Sequence, residues 1–368
     1  MIEKVVVTGM GCVSALGRDV SQFWSQLAAG RPAITELTGF PAGSLKVNVG
    51  AQIQDFNPAA HFASDLIPLL DRYSQLALMA AREAVGDAGL SGTLLRSAAA
   101  VIGTGCGGKE TDEQTYHRLY QEGKKRAHPL TIPRGMPSAA ASQVSMQLGI
   151  TGPVFSVSSA CASANHAIAQ AALLIRSGAV DVAVAGGTDA PFTYGLLKAW
   201  EAMRVLSNDT CRPFTAGRKG LVLGEGAGMV VLESMRHAEH RGAHAYAELA
   251  GCGMSSDAGH ITDPSAEGAA RAIRLALKDA GCGESAVSYV NAHGTGTQAN
   301  DLVETRALRQ VFGDHADRLA VSSTKSMHGH ALGAAGGIEF VATVLALCND
   351  LAPPTANFTE PGEGCDLD

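Results

Sequence analysis

Apolar positions along the chain follow two spacings. VVVTGMG at 5–11, VDVAVAGG at 180–187 and MVVLES at 229–234 are near-continuous apolar runs of the kind that buried strands show. Between them the period lengthens to that of helices: DVSQFWSQLAAG predicts a helix stopped by Gly30, residues 71–88 predict a long helix, and residues 193–203 a third. Residues 98–103 predict a strand running into GTGCGGKE, the polar stretch 111–137 an exposed excursion, and 209–226 a glycine-rich loop. In PVFSVSSACASANHAIAQAALLIRS at 153–177 both spacings meet: a short apolar run at 154–157 precedes a helix with Ala164, Ala167, Ile168, Ala171 and Ile175 on one stripe.

The pattern then repeats. VTGMG at 7–11 is echoed by LAGCG at 249–253, the helix ending DAG at Asp87 by one ending DAG at Asp279, and the strand ending GTG at Gly103 by YVNAHGTG ending at Gly296. VSSAC at 157–161 is echoed by VSSTK at 321–325, again ahead of a helix. Two βαβαβα copies laid end to end give an α/β fold in two halves, 1–244 and 245–368, each with a mixed, largely parallel sheet covered by helices. The first copy continues into two further strands that the second lacks, which points to a shortened chain or to a partner completing the edge.

Composition narrows the function. With 368 residues and 46% hydrophobic content the chain can bury a large core, and 43 glycines with 5% aromatics suit close packing of elements. A net charge of −7 argues against nucleic acid as a partner. The chain opens directly on a strand, with no uninterrupted apolar run long enough to span a bilayer, so a cytoplasmic protein without membrane insertion is expected. Eight scattered cysteines with no CxxC pair indicate neither a disulfide framework nor a structural metal site.

Candidate chemistry sits at the repeated strand ends. Cys161 lies where a strand turns into a helix, between Ala160 and Ala162, and the positive helix end is expected to draw its pKa below the ~8.5 of a free thiol. The same pattern also suits a buried helix-start cysteine. In NAHGTGTQANDLVE, His293 stands just past a strand on a flexible loop, and Asp301 with Glu304 has the spacing of a capping box, for structure alone the better reading. In SSTKSMHGHALGAAGGIE, Lys325 and Glu339 are placed to pair across a helix start, His330 faces an opening among small residues, and His328 reads as a surface histidine. A Cys/His/His set admits either a catalytic zinc with an open position or a covalent acyl-enzyme whose carbonyl is stabilised by two imidazoles. The helix start behind Cys161 suits the second, because it activates sulfur without a metal.

VTGMGCVSALG, SSACASANHAI, LGEGAGMVVLE, NAHGTGTQANDLVE and SSTKSMHGHALGAAGGIE together resemble the elongating β-ketoacyl-[acyl carrier protein] synthases of the thiolase superfamily, over essentially the whole chain. The resemblance implies a thiolase-like fold, duplicated halves in a five-layer αβαβα arrangement, with the C-terminal strands missing. It implies decarboxylative Claisen condensation of an acyl-enzyme at Cys161 with malonyl-[acyl carrier protein], giving 3-oxoacyl-[acyl carrier protein] in fatty acid or polyketide/polyene-type synthesis. His293 and His330 then assist decarboxylation, Lys325 with Glu339 supports them, and the Cys161 N–H is one oxyanion donor. Thr295 and Thr297 match positions that contact the pantetheine arm, and Cys106 and Trp200 match positions at the acyl pocket. No cofactor and no metal are implied, the phosphopantetheine arm arriving on the carrier-protein substrate. The family's usual basic residues before the long first helix are replaced by DLIPLL, which leaves Lys124, Lys125, Arg126, Arg134 and Arg204 to meet an acidic acyl carrier protein. The assembly implied is a homodimer, or a heterodimer with a homologous ketosynthase-like subunit, through the strand before Cys161. The alternatives are a non-catalytic partner subunit, a thiolase-type enzyme and a zinc hydrolase.

Overall fold

The computed structural model describes residues 3–368. Its first half runs β1 (Val5–Ser14), α1 (Val20–Ala28), α2 (Arg72–Asp87), β2 (Ala99–Gly103), α3 (Lys109–Tyr116), α4 (Ala139–Leu148), β3 (Val154–Val157), α5 (Ser163–Arg176), β4 (Val182–Asp189), α6 (Tyr194–Met203) and β5 (Gly226–Ser234). The second runs β6 (Ala247–Glu248), α7 (Ala266–Ala280), β7 (Tyr289–Asn291), α8 (Gln298–Phe312), β8 (Ala320–Ser322), the short helix Lys325–His328 and α9 (Ala335–Asn349). The boundary expected at 244/245 falls in the connection ahead of β6.

Six strands form one sheet in the order β3-β2-β4-β5-β1-β6. Side chains alternate between its two faces, as strand geometry requires. Ala99, Val101, Ala183, Ala185, Val230 and Leu232 enter one core with α5 and α9, while Ala100, Ile102, Val182, Val184, Met229 and Val231 enter another with α2 and α4. In β1 the alternation slips. Val5 and Val7 face the first core, but so do Met10 and Cys12, because a bulge between Val7 and Gly9 shifts the register by one residue. Beyond it, a Cβ on Gly9 or Gly11 would sit 2.1 or 1.9 Å from a carbonyl oxygen of α2, so glycine is what lets that helix lie on the strand.

β7 and β8 pair in parallel as a second small sheet, with α7 and α8 packed outside it and α9 between the two sheets. The layers therefore read helix, sheet, helix, sheet, helix. This is the expected five-layer order, and two of the parallel pairs, β2–β3 and β7–β8, deliver the candidate segments at their ends.

Several expectations need correction. The large sheet is not largely parallel: β3–β2 and β2–β4 are parallel, whereas β4–β5, β5–β1 and β1–β6 are antiparallel. Residues 249–253, the echo of β1, form no strand, because no described strand runs alongside them as β5 runs alongside β1; only β6, just ahead, and the Leu249 N–H bond the backbone of β1 in the first sheet. The polar excursion holds helical turns at Lys109–Tyr116 and Thr131–Gly135 between exposed stretches. Finally, Leu332–Asn349 is long and apolar enough to cross a bilayer, but two thirds of it is buried in the core, where Ile338, Val341 and Ala342 pack under the large sheet.

Candidate active site

Beyond β3 the chain makes a tight elbow, Ser159–Ala160–Cys161–Ala162, before α5 begins at Ser163. Ala160 has φ +51°, a left-handed conformation that costs a non-glycine residue about 1 kcal/mol. Local bonds hold it there. The Ser159 N–H donates to Ser163 Oγ (2.9 Å), Ser163 Oγ donates to the Ala160 carbonyl (2.7 Å), and Ser159 Oγ pairs with His166 Nδ1 (2.7 Å). Gly103 of β2 lets α5 approach, since a Cβ there would lie 2.4 Å from the Ser163 carbonyl carbon. The elbow holds Cys161 half-buried, its sulfur 2.9 Å from His330 Nε2.

His293 arrives from the loop after β7, and its ring meets that of His330 edge-on, centroids 5.3 Å apart at 86°. The three ligand-type atoms of Cys161, His293 and His330 all lie within 4.8 Å of one another. Each histidine is held through its backbone. The N–H groups of His293 and Gly294 donate to the Glu304 carboxylate (2.6 and 2.7 Å), and Lys325 Nζ donates to the His293 carbonyl (2.7 Å) while pairing with Glu339. The His330 N–H donates to the Val222 carbonyl (2.7 Å) and its own carbonyl accepts from Gly224 (2.9 Å). Leu332, just beyond, has φ +49°, and Phe214, against the His293 loop, has φ +63°, so backbone strain collects around this site.

Electrostatics make the site neutral at rest. Burial, reinforced by the Lys325 charge, lowers the His293 pKa to about 3 and holds that of His330 well below 6.5. The Cys161 thiol does not follow the sequence expectation: burial raises its pKa, outweighing the lowering by Lys325 and by its own backbone N–H. The sulfur stands two residues ahead of α5 in a desolvated pocket, and desolvation exceeds the pull of the helix end.

Lys325 is fully buried, as its pairing role requires, and burial raises the pKa of its partner Glu339 against the lowering effect of the lysine charge. Asp301 and Glu304 do not form a capping box. Thr297 caps α8, accepting from the Asn300 N–H, and Asp301 is already inside the helix. Asp301 instead accepts from the N–H groups of Phe214 (2.8 Å) and Gly296 (3.2 Å), so both carboxylates brace the loop that carries His293. His328 is no surface histidine: it is fully buried, its Nε2 3.0 Å from Thr324 Oγ1.

Thr295 and Thr297 share a hydroxyl hydrogen bond of 2.9 Å on the same loop. Cys106 and Trp200 fall in one apolar cluster with Leu197, Leu221, Leu223 and Leu332, and burial pushes the Cys106 thiol up to about 12. Of the proposed docking cations, Lys124, Lys125, Arg126 and Arg204 are exposed, whereas Arg134 is half-buried beside Asp71 and Glu110.

Sequence reasoning missed Asp189. Its fully buried carboxylate, with a pKa raised by burial to about 6, accepts from Thr104 Oγ1 (2.7 Å) and the N–H groups of Gly105 (2.8 Å), Cys106 (3.0 Å) and Gly333 (2.7 Å). It ties the Cys106 loop to the turn after His330. An aspartate ending a buried apolar strand in VAVAGGTD was the available signal.

The sequence matches the family described as "Beta-ketoacyl synthase, N-terminal domain" over residues 2–238 and "Beta-ketoacyl synthase, C-terminal domain" over residues 246–359. It is 50% identical over 370 residues to nodulation protein E of Rhizobium sp. (strain N33), spanning 100% of this chain and 92% of that protein. It is 43% identical over 376 residues to 3-oxoacyl-[acyl-carrier-protein] synthase 2 of Coxiella burnetii (strain RSA 493 / Nine Mile phase I), spanning 100% and 91%. Among solved structures, the ishigamide ketosynthase/chain length factor superposes with a TM-score of 0.93 at 35% identity, covering 100% of this chain and 92% of that one.

Proposed function

The chain belongs to the β-ketoacyl synthase family, and on that premise we propose that Cys161, His293 and His330 carry out decarboxylative condensation with malonyl-[acyl carrier protein]. The carrying observation is the 2.9 Å contact between Cys161 Sγ and His330 Nε2, with the His293 ring against that of His330.

In the first half-reaction the Cys161 thiol attacks the acyl thioester, its carbon–sulfur bond to the carrier arm breaks, and the thiol proton leaves on the released arm. Because the resting thiol is protonated, the neutral His330 Nε2 beside it is the acceptor that lets sulfur shed its proton as the new bond forms. In the second, the malonyl carboxylate departs as carbon dioxide and its electron pair forms an enolate at the thioester. The enolate carbon attacks the Cys161 acyl carbonyl, giving 3-oxoacyl-carrier protein and a Cys161 thiolate that takes a proton from solvent. No strong base is needed. Two imidazoles held neutral by burial are hydrogen-bond donors suited to an oxyanion, His330 in the tautomer with its proton on Nε2 once the acyl-enzyme has formed, each such donor contributing on the order of 10²–10³ in rate.

Lys325, with Glu339, and the braces Glu304 and Asp301 act by fixing His293. Thr295 and Thr297 receive the pantetheine arm. The cluster holding Cys106 and Trp200 receives the acyl chain. Exposed Lys124, Lys125, Arg126 and Arg204 meet the acidic carrier protein, with half-buried Arg134 at the margin. A second copy or a homologue pairs along β3, the open edge of the large sheet, where Phe155 is 38% exposed. The protein works in the cytoplasm, where its carrier-bound substrates are made.

Incubation with malonyl-carrier protein and a panel of acyl primers, followed by mass spectrometry of the carrier, tests this reading. Wild type should give 3-oxoacyl-carrier protein, and His330→Asn should lose ~10²–10³-fold. Binding of carrier protein without product, at unmodified Cys161, would instead identify a non-catalytic partner subunit.

A further inference from the structure

We propose that Cys161, His293 and His330 form a binding site for zinc(II), and that zinc held there competes with acylation and so inhibits the chain reversibly. The inhibitory half rests on the role given to Cys161 above; the binding half does not.

The geometry carries the inference. A tetrahedral zinc ion has Zn–S near ~2.3 Å and Zn–N near ~2.0–2.1 Å, which puts its ligand atoms on the order of 3.3–3.6 Å apart. Here the three candidate atoms lie within 4.8 Å of one another, the sulfur and His330 Nε2 at 2.9 Å. Side-chain shifts of less than about 1 Å would meet the zinc distances. The ligands come from three separate turns whose backbones are already pinned, His330 between Val222 and Gly224 and His293 by Glu304 and Lys325, so little ordering remains to be done on binding. Cys161 and His293 are half-buried rather than sealed, which leaves a way in, and three protein ligands leave the fourth position to water. The step balances as ligand exchange. Zinc loses hydration waters, the Cys161 S–H bond breaks with its proton passing to solvent, and one sulfur and two imidazole nitrogens take the vacated positions.

The surroundings also say that zinc is a visitor. Resident zinc sites back each imidazole with a carboxylate or carbonyl on the other ring nitrogen, and losing such support costs ~10–100-fold in affinity. His330 Nδ1 has no partner among the described residues, and the Lys325 ammonium, the foremost charge acting on all three groups, repels a cation, opposed at Cys161 by the Asp189 and Glu339 carboxylates. Binding should be weak enough for a chelator to reverse.

The test uses cobalt(II) as a spectroscopic stand-in, with zinc as competitor and no acyl substrate present. Expected is one cobalt per chain with a thiolate-to-metal charge-transfer band, displaced by zinc, absent from Cys161→Ala and from wild type alkylated at Cys161, and weakened by at least ~10-fold in His330→Ala. A band that persists in Cys161→Ala, or no band in wild type, overturns the proposal. Alkylated wild type gives the same answer should the alanine variant fail to fold. Zinc that binds without slowing acylation by acyl-carrier protein, read by intact mass, overturns the inhibitory half. Cobalt binding by a chain that makes no condensation product would sink the functional reading and leave the metal site standing.

Discussion

VSSAC after β3 and VSSTK after β8 are the same turn used twice, and their fates differ. In the first, Ala160 takes a left-handed conformation and lifts Cys161 to a half-buried position facing His330. In the second, Thr324 stays right-handed at φ −69°, the short helix starts at once, and Lys325 points inward, fully buried on Glu339 and the His293 carbonyl. One copy presents the sulfur proposed as nucleophile and the other fixes the histidine proposed to work with it. The inversion of a single residue's φ separates the two outcomes: of two equivalent strand ends, the one with local backbone strain is the one whose next side chain faces His330.

The largest expected effect falls on the first turn. Cys161→Ala should lose condensation by at least ~10³-fold with an unchanged unfolding transition, because it removes the covalent step and little packing. The second turn should show the reverse. Lys325→Met strands Glu339 as a buried, unpaired carboxylate and should cost about 3–5 kcal/mol in urea unfolding, while Lys325→Met combined with Glu339→Leu should recover part of the loss. Two additive penalties would contradict the pairing.

Between these lies a pH effect on the second turn. His328 has its pKa lowered to about 3, by burial first and then by Lys325. Below its unfolded pKa of ~6.5 the unfolded chain binds a proton that the folded chain refuses, so the stability it contributes is lost as pH falls from 6.5 toward 3. Between pH 7 and pH 5 wild type should lose about 2 kcal/mol relative to His328→Gln, read as the change in their difference in unfolding free energy. A constant difference would place His328 in solvent. The smallest effect sharpens the comparison itself: Ala160→Gly should relieve about 1 kcal/mol of strain, whereas Thr324→Gly should destabilise. Equal signs would remove the conformational distinction.

Much of this was legible in the sequence because the chemistry sits at repeated strand ends. Cys161, His293, His330 and Lys325 could be picked out from where each interrupts an apolar run, and the Lys325–Glu339 pair from its spacing. What escaped depends on tertiary desolvation and on backbone partners, which spacing does not encode. The direction of the Cys161 pKa was reversed because burial outweighs the helix end; alkylation of the free enzyme should accordingly titrate at higher pH than that of a free thiol. Asp301 and Glu304 had the spacing of a cap, but their partners are N–H groups on a neighbouring loop. Asp189 was overlooked because its four donors are brought together only by the packing of β2, β4 and the turn after His330. Residues 249–253 repeat the β1 pattern, but among the described residues only Leu249 finds a backbone partner there, Val5 of β1.

The central claim is that the elbow presents Cys161 for covalent catalysis. Its most direct measurement is intact and peptide-mapped mass after incubation with acyl-carrier protein alone. The account predicts one acyl group per chain on the peptide containing Cys161; an unmodified chain, or an acyl group on any other residue, would contradict it.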